Sequence, residues 1–130
     1  MLLNTLTALM QEGENSIVLQ TPYMICNQVM YDALKTITTK AQVQVITNAP
    51  QSGANPWGCA DYLNHRDDIL ETGVSICEWN GNFSMHTKTI LIDDRISIIG
   101  SFNWDMRSAY LDTEMMLLID CPALNAILRD

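Results

Sequence analysis

Short stretches of alternating apolar and polar residues run through the chain. Each predicts a β-strand, because successive side chains of a strand point to opposite faces. Pro22 ends the first stretch, since proline cannot donate a hydrogen bond to a central sheet ladder. Asn80-Gly81 is a strong turn signal, and the segment 93–95 makes a tight connection between two strands. The predicted strands cover residues 16–23, 41–47, 74–79, 85–92, 96–100 and 115–119.

Four other stretches repeat their apolar residues at the spacing of an α-helix. Asn27 can cap the second of these helices, and Gly73 can end the third. The predicted helices cover residues 2–11, 28–39, 57–71 and 122–128. This order of strand, helix, strand and helix, followed mostly by strands, predicts an α/β fold in which helices flank a mixed β-sheet.

The length and composition of the chain are typical of one folded domain. At 130 residues it matches the commonest domain size, which predicts a single domain over residues 1–130. Hydrophobic residues make up 48% and charged residues 17%, a balance unlike that of disordered chains. No apolar run is long enough for a membrane span, and the first residues do not resemble a secretory signal. We therefore expect a cytoplasmic protein, or one bound peripherally at the cytoplasmic membrane.

Charge and cysteine spacing narrow the kinds of ligand that we expect. The net charge of −8 disfavours nucleic acid, since binding to a phosphate backbone usually requires a basic surface. A locally positive pocket could still hold one phosphate group. The four cysteines form no C-x-x-C pair, which disfavours both a zinc site and a disulfide framework. We expect free, mostly buried thiols.

His86 and Lys88 are two residues apart on a predicted strand, so their side chains should emerge on the same face. An imidazole and an ammonium make a poor apolar surface, and that face should therefore open onto a polar cleft or an anion. Asp93 completes an H-x-K-x-x-x-x-D arrangement. Alone the triplet is only suggestive, because three such residues also recur by chance and a histidine near a strand start is commonly structural.

A second motif follows the next strand. Gly100-Ser-Phe-Asn103 comes at the distance that a short hairpin needs to bring Asn103 beside His86. Gly100 would allow a ligand close to the backbone, while Ser101 and Asn103 would supply neutral donors to phosphate oxygens. A short helix over residues 104–108 would begin at Asn103 and direct its free N–H groups to the same anion.

Glu114 lies on the following predicted strand, where its carboxylate could hold a ring nitrogen of His86. These three motifs resemble the signature of the phospholipase D superfamily in content, order and spacing. Within it, the segments 100–108 and 112–115 are most similar to the second half of bacterial cardiolipin synthase-like proteins. Asp112 stands where that family usually has Asn, which adds negative charge near the pocket.

The resemblance implies a phosphatidyltransferase or phosphodiesterase that acts through a phosphohistidine, without a metal or other cofactor. His86 matches the histidine that either attacks phosphorus or protonates the leaving group. Lys88 matches the residue that neutralises phosphate oxygens, joined by Asn103 and Ser101. Asp93 belongs to the same catalytic motif, although we expect it to order the strand turn rather than to touch the substrate.

The resemblance also implies a partner, because enzymes of this superfamily use two such motifs and this chain has one. A second half-domain would come from an N-terminal half of a longer protein or from an identical subunit, and the substrate would be a phospholipid or another phosphodiester. Two alternatives stay open. The chain could form a homodimeric phosphodiesterase or nuclease, or it could be an isolated domain that folds and associates but is inactive alone.

The remaining aromatic residues and the second histidine are weaker candidates. Core packing is the expected role of most aromatic side chains. Trp57 is the exception, because it ends a loop rich in Pro, Gly and Asn, where an exposed ring could meet a lipid surface. His65 lies in a predicted helix without a second motif, and we expect it at the surface or partly buried.

Overall fold

The computed structural model describes residues 1–130, which form five helices and eight strands. The helices are α1 Leu2–Gln11, α2 Gln28–Thr38, α3 Pro56–Glu71, α4 Met106–Tyr110 and α5 Pro122–Arg129. The strands are β1 Ser16–Gln20, β2 Met24–Ile25, β3 Gln42–Asn48, β4 Ser75–Trp79, β5 Thr89–Ile92, β6 Ile96–Gly100, β7 Trp104–Asp105 and β8 Met116–Asp120. The predicted positions of α1, α2, α3 and α5 are confirmed to within one residue at each end.

Six strands form one mixed sheet in the order β4-β3-β1-β5-β6-β8. β4, β3 and β1 pair in parallel, whereas β5, β6 and β8 continue the sheet with antiparallel pairs. β2 and β7 form a separate parallel pair. The α/β fold with a mixed sheet and flanking helices is therefore confirmed. β5 lies inside the sheet and β8 lies at one edge.

The core forms where the helices cover the sheet. Alternate residues of β1 and β3 are buried, as expected for strands that bury one face, whereas all four residues of β5 are buried. α1 and α2 contact each other and contribute apolar stripes to the main core, while α5 contacts β5 and β6. The buried helical residues of α1 and α2 are Leu3, Leu6, Met10, Met30, Leu34 and Ile37.

Capping residues fix where the helices begin and end. The Asn27 side chain accepts a hydrogen bond from the backbone N–H of Met30, as the sequence predicts. Asn55 caps α3 in the same way, and Pro56 occupies its first turn. Gly73 follows α3 with φ of +99°, a conformation that favours glycine.

The first strand is shorter than predicted. β1 ends at Gln20, because Pro22 has no N–H and the Thr21 hydroxyl donates to the carbonyl of Tyr23, which turns the chain. The same hydroxyl accepts from the backbone N–H of Trp104. Thr21 thereby joins the end of β1 to β7, the strand that follows the Gly100–Asn103 motif.

Two predictions next to the motifs are wrong. The strand predicted to begin at residue 85 begins at Thr89, although Lys88 still accepts a backbone hydrogen bond from Gly100. The helix predicted over 104–108 begins at Met106, because Trp104 and Asp105 pair with β2. The Asp105 carboxylate caps this helix by accepting from the N–H of Ser108, so this amide is not free to meet an anion.

None of the helices combines the length and the apolar character that crossing a bilayer requires. All four cysteines are free. The expectation that most of them are buried is wrong, because Cys77 is exposed and the other three are only partly buried.

Candidate active site

His86 and Lys88 lie in the extended segment that leads into β5, and their side chains meet. The Lys88 Nζ atom is 2.9 Å from Nδ1 of His86 and donates to the His86 carbonyl oxygen at 2.7 Å. The His86 side chain is exposed, and Lys88 is partly buried. The structure therefore brings an accessible imidazole and an ammonium together just before the start of β5, in agreement with the predicted common face.

The positive charge of Lys88 is poorly compensated. Burial lowers the pKa of Lys88, while the negative charges of Glu114 and Asp105 act in the opposite direction. Neither carboxylate forms an ion pair with Lys88; the ion pairs of the chain involve other cations. A phosphate oxygen placed against Nζ would supply the missing negative partner.

Asn48, at the end of β3, holds the segment that carries His86. Its side-chain oxygen accepts from the backbone N–H of Met85 at 2.7 Å, and its side-chain NH2 donates to the Met85 carbonyl at 2.9 Å. Asn48 is buried, so no water replaces these bonds. The motif analysis missed this residue, although a polar side chain at the buried end of a parallel strand was the available signal.

Asn103 keeps hydrogen-bonding capacity for a ligand. Its backbone N–H donates to the Ser108 hydroxyl, while its side-chain amide makes no hydrogen bond within the chain. The side chain also lines a cavity of about 590 Å³. The other residues of this cavity include Tyr23, Ile25, Met106, Tyr110 and Leu111.

The neighbouring residues of the same motif face β8. The Ser101 hydroxyl accepts from the backbone N–H of Met115 at 3.0 Å and also donates to the Met115 carbonyl at 3.3 Å. A Cβ atom on Gly100 would lie 2.1 Å from that carbonyl oxygen. Gly100 is therefore required because the backbone of Met115, just before β8, lies so close to it. The sequence had suggested that a ligand makes this close approach, and that prediction is wrong. The Ser101 hydroxyl therefore already has a donor and an acceptor within the chain.

Glu114 contacts the motif through Ser108. Its carboxylate accepts from the Ser108 hydroxyl at 3.0 Å, and the same hydroxyl accepts from the Asn103 N–H. The predicted hydrogen bond between Glu114 and His86 is absent from this chain, where the imidazole lies against Lys88 instead. Ser108 and the buried Asp105 were missed by the sequence analysis because their roles depend on how the chain folds after Asn103.

Carboxylates dominate the surroundings of Ser108. Burial raises the pKa of Asp105 against the hydrogen bonds from Ser108, and the charges of Asp112 and Glu114 raise it further. Asp112 itself accepts a hydrogen bond from Arg107 Nε at 3.1 Å, which compensates part of the extra charge at this position. The positive charge of the site is thus that of Lys88, next to the His86 imidazole.

Asp93 lies at the opposite end of β5 from His86. Its carboxylate accepts backbone hydrogen bonds from Glu14, Asn15 and Ser16, and its own backbone has φ of +50°. Burial would raise the pKa of Asp93, but these donors and Arg129 outweigh that effect and lower it. Asp93 thus orders the turn after β5, the position that we expected for it.

His65 and Trp57 are both exposed on α3, as expected. His65 interacts only with Asp61, one turn away. No three His, Cys, Asp or Glu side chains converge to form a group that could hold a metal ion. Two aromatic residues assigned to the core are instead exposed: Phe83 and Trp79, which line a second cavity, of about 580 Å³, beside His86.

Comparison with known proteins agrees with this geometry. Residues 6–130 match the family model described as cardiolipin synthase, PLD-like domain. The chain is 34% identical over 113 residues to cardiolipin synthase 1 of Staphylococcus epidermidis, with 87% of this chain and 23% of that protein covered. It is 32% identical over 120 residues to a cardiolipin synthase of Oceanobacillus iheyensis, covering 92% of this chain and 25% of the relative.

Solved structures show the same fold. NucT from Helicobacter pylori superposes with a TM-score of 0.73 at 21% identity, over 98% of this chain and 82% of that one. Nuc from Salmonella typhimurium, a phospholipase D family member, gives 0.73 at 18% identity, over 97% and 80%. The chain spans about a quarter of the length of the curated relatives named above. By its sequence match over nearly all residues, this chain belongs to the family of cardiolipin synthase PLD-like domains.

Proposed function

We propose that this chain is one catalytic half of a cardiolipin synthase-type phosphatidyltransferase or phosphodiesterase that acts through a phosphohistidine. The observation that carries the proposal is the pairing of an exposed imidazole with an ammonium 2.9 Å away that has no ion-pair partner, beside a cavity that His86 lines. An anion can reach both groups from solvent. The cardiolipin synthases among the relatives support a phospholipid as the substrate.

In the proposed reaction, a ring nitrogen of one histidine attacks phosphorus and the bond from phosphorus to the leaving alcohol oxygen breaks. A second histidine gives its proton to that oxygen. An acceptor alcohol, or water, then attacks the phosphohistidine, gives its proton to the second histidine and restores the first. His86 takes one of these two roles. Lys88 and the Asn103 amide stabilise the charge that develops on the phosphate oxygens.

The second histidine has to come from another half-domain, because His65 lies away from the site. The relatives are about four times as long as the matched segment, so a longer protein has room for it. Part of the surface beside the site is apolar and exposed: Met115 at 80% and Leu117 at 63% lie at the free edge of the sheet. An uncovered apolar edge strand favours association with another sheet. We propose that the second half-domain covers it.

The phosphohistidine is tested by brief mixing of the complete two-motif protein with phospholipid labelled on phosphorus, followed by alkaline quenching. We expect label bound to protein, stable in alkali and released by mild acid, because a phosphorus–nitrogen bond is acid-labile. Turnover should fall by at least about 10³-fold in His86→Ala. Full turnover in that variant would exclude His86 from the chemistry.

A second candidate is a homodimeric phosphodiesterase or nuclease. The structural match to Nuc and NucT, which covers at least 80% of either chain, is compatible with it. The net charge of −8 opposes a nucleic acid substrate. A native mass of two chains together with hydrolysis of an oligonucleotide would support this candidate. A monomer without diesterase activity would instead leave the chain as a half-domain that folds but requires its partner for activity.

A further inference from the structure

The cavity beside His86 differs in chemistry from the rest of the surface. It has a volume of about 580 Å³, and none of its lining residues is Asp, Glu, Lys or Arg. His86 forms one wall, and the larger apolar side chains lining it are Ile46, Trp79, Phe83 and Met85. We refer to these five residues as the aromatic cleft. A phosphodiester bound at His86 would have one of its organic arms next to this cleft.

The exposed rings of the cleft are held in place. Trp79 Nε1 donates to the Phe83 carbonyl at 2.9 Å, and the two rings lie with centroids 5.7 Å apart. A Cβ atom on Gly81 would lie 2.5 Å from the Trp79 ring, so the indole packs directly on this glycine. The Ser52 hydroxyl donates to the Gly81 carbonyl and ties this loop to the one after β3. The cleft is therefore formed before any ligand binds.

Phe83 is 69% exposed and Trp79 is 39% exposed. Fixed apolar side chains that remain in water beside a reactive group mark a ligand site, because binding removes their apolar surface from water. The pairing of a charged end at Lys88 with an uncharged apolar wall matches an amphipathic ligand.

The cationic residues of the chain argue against a polyanionic ligand. Three arginines form ion pairs with carboxylates, and Arg129 donates to the Asp93 carbonyl and to Asn125. Lys40 donates to the Gln11 carbonyl, and Lys35 lies near Asp68 and Glu71. Lys88 is the cation that contacts His86, next to the cleft. A nucleic acid strand, with a further phosphate on each nucleotide, would find no second cation in the cleft.

We propose that the aromatic cleft binds the glycerol-proximal part of the acyl chains of a phospholipid whose phosphate lies at His86 and Lys88. The inference rests on the proposed function for the position of the phosphate. It adds the residues that distinguish a lipid diester from a water-soluble one. Ile46 and Met85 form the inner apolar wall, while Phe83 and Trp79 form the rim at which the chains leave the protein.

Direct binding tests the cleft without requiring turnover. Dihexanoyl phosphatidylglycerol below its micelle concentration is compared with its deacylated counterpart, glycerophosphoglycerol, by calorimetric titration of the protein. The two probes share the phosphodiester and differ only in the acyl chains. We expect the lipid to bind at least about tenfold more tightly, since each fully buried methylene strengthens binding about fourfold.

Variants assign the difference to the cleft. Phe83→Ala should weaken binding of the lipid about fivefold and leave glycerophosphoglycerol unchanged, while Phe83→Leu should restore most of the loss. Ile127→Ala is the matched control, because Ile127 is 70% exposed on α5, away from the cleft. Circular dichroism checks that each variant is folded, which we expect because Phe83 is largely in water.

Equal affinities for the two diesters, including undetectable binding of both, overturn the acyl site. So does a loss in Phe83→Ala that Ile127→Ala reproduces. An oligothymidylate that binds more tightly than the lipid, and whose binding depends on Phe83, would replace it with a base-stacking site. The proposed function fails separately: lipid binding that depends on Phe83 in a protein that never forms phosphohistidine retains the cleft and rejects the chemistry.

Discussion

Lys88 carries a charge that its surroundings solvate only in part. Burial lowers the pKa of Lys88, and its hydrogen bonds go to the imidazole and the carbonyl of His86 rather than to a carboxylate. Because the folded pKa lies below the unfolded one, the charged form of Lys88 opposes folding at neutral pH, and this cost disappears only as the pH rises toward the ordinary value of 10.5. We therefore expect Lys88 to contribute to activity rather than to stability.

Replacement of Lys88 should therefore separate activity from stability. In Lys88→Met, we expect kcat/KM of the complete protein to fall by about 10²–10³-fold, since one group that stabilises developing charge is lost. The melting temperature at pH 7 should stay the same or rise. Lys35→Met, on α2 and away from the site, is the control for loss of a charge. A large drop in melting temperature with unchanged kcat/KM would show instead that Lys88 stabilises the fold and does not contribute to activity.

Asp93 has the opposite relation to stability. The donors that its carboxylate accepts from lower its pKa below the ordinary value of 3.8, against the effect of burial. A lowered folded pKa means that the charge stabilises the fold above the unfolded pKa. This contribution is lost as the pH falls through the folded value.

Asp93→Asn tests this relation, because Asn also tolerates the positive φ and keeps one acceptor oxygen. We expect a loss of about 1–2 kcal/mol in the free energy of unfolding at pH 7, measured with urea. The difference from the unaltered chain should begin to shrink as the pH falls below 3.8 and vanish as the pH falls through the lowered pKa of folded Asp93. Asp94→Asn, at the exposed neighbouring position, should change little. A difference that is constant with pH would contradict the electrostatic role.

At the scale of elements, the site depends on how the ends of strands are tied together. The end of β3 holds the segment before β5 through Asn48, and the start of β8 holds the end of β6 through Ser101 and Met115. Met115, which follows Glu114, accepts the backbone N–H of Ser101 as well. These contacts connect residues far apart in sequence. Through them the sheet fixes where the segments that carry His86 and Asn103 lie.

Asn48 should act as a positioning residue for His86. Asn48→Ala removes both bonds to the Met85 backbone and leaves buried groups without partners, which costs about 1–3 kcal/mol of stability. In the complete protein we expect kcat to fall about tenfold or more with little change in KM, since Asn48 contacts no substrate. Asn48→Gln, with the same amide on a longer side chain, should restore stability better than kcat. An unchanged kcat in the folded alanine variant would refute the positioning role.

The sequence predicted what depends on local spacing. Alternating and helical periodicity predicted the mixed sheet, four of the helices and the common face of His86 and Lys88. It placed α4 two residues too early and could not predict the bonds of Glu114, because Trp104 and Asp105 pair with β2, far away in sequence, instead of starting the helix. The exposed Phe83 and Trp79 were missed for a related reason: an aromatic residue is expected in the core unless the loop around it is known.

At the scale of the whole molecule, one edge of the sheet is left apolar. Burial of Met115, Leu117 and Leu118 by a second half-domain would cover exposed side chains beside Glu114 and Gly100. The other edge, β4, presents Ser75, Cys77 and Trp79 as its exposed residues. The two edges thus differ, and we expect association through β8.

A charge introduced on β8 should prevent that association. Leu117 is 63% exposed, so Leu117→Lys should leave the fold of the single chain intact while placing a charge in the contact. Sedimentation of the chain across micromolar concentrations, with its second half-domain or with a second copy, should show a dissociation constant at least about tenfold higher for the variant. Leu63→Lys, on a 48% exposed position of α3, is the control. Unaltered association in Leu117→Lys would place the interface elsewhere.

The strand order has a consequence for how the protein acquires activity. β1 lies between β3 and β5, and β5 is made only after more than two thirds of the chain. Until β5 has been synthesised, one edge of β1 has no pairing strand. The sheet therefore cannot be completed by contacts between residues close in sequence. The strand that fills this gap is the one that carries His86 and Lys88 at its start. We therefore expect His86 and Lys88 to be brought together only when β5 joins the sheet, so that a chain still on the ribosome lacks the formed candidate site.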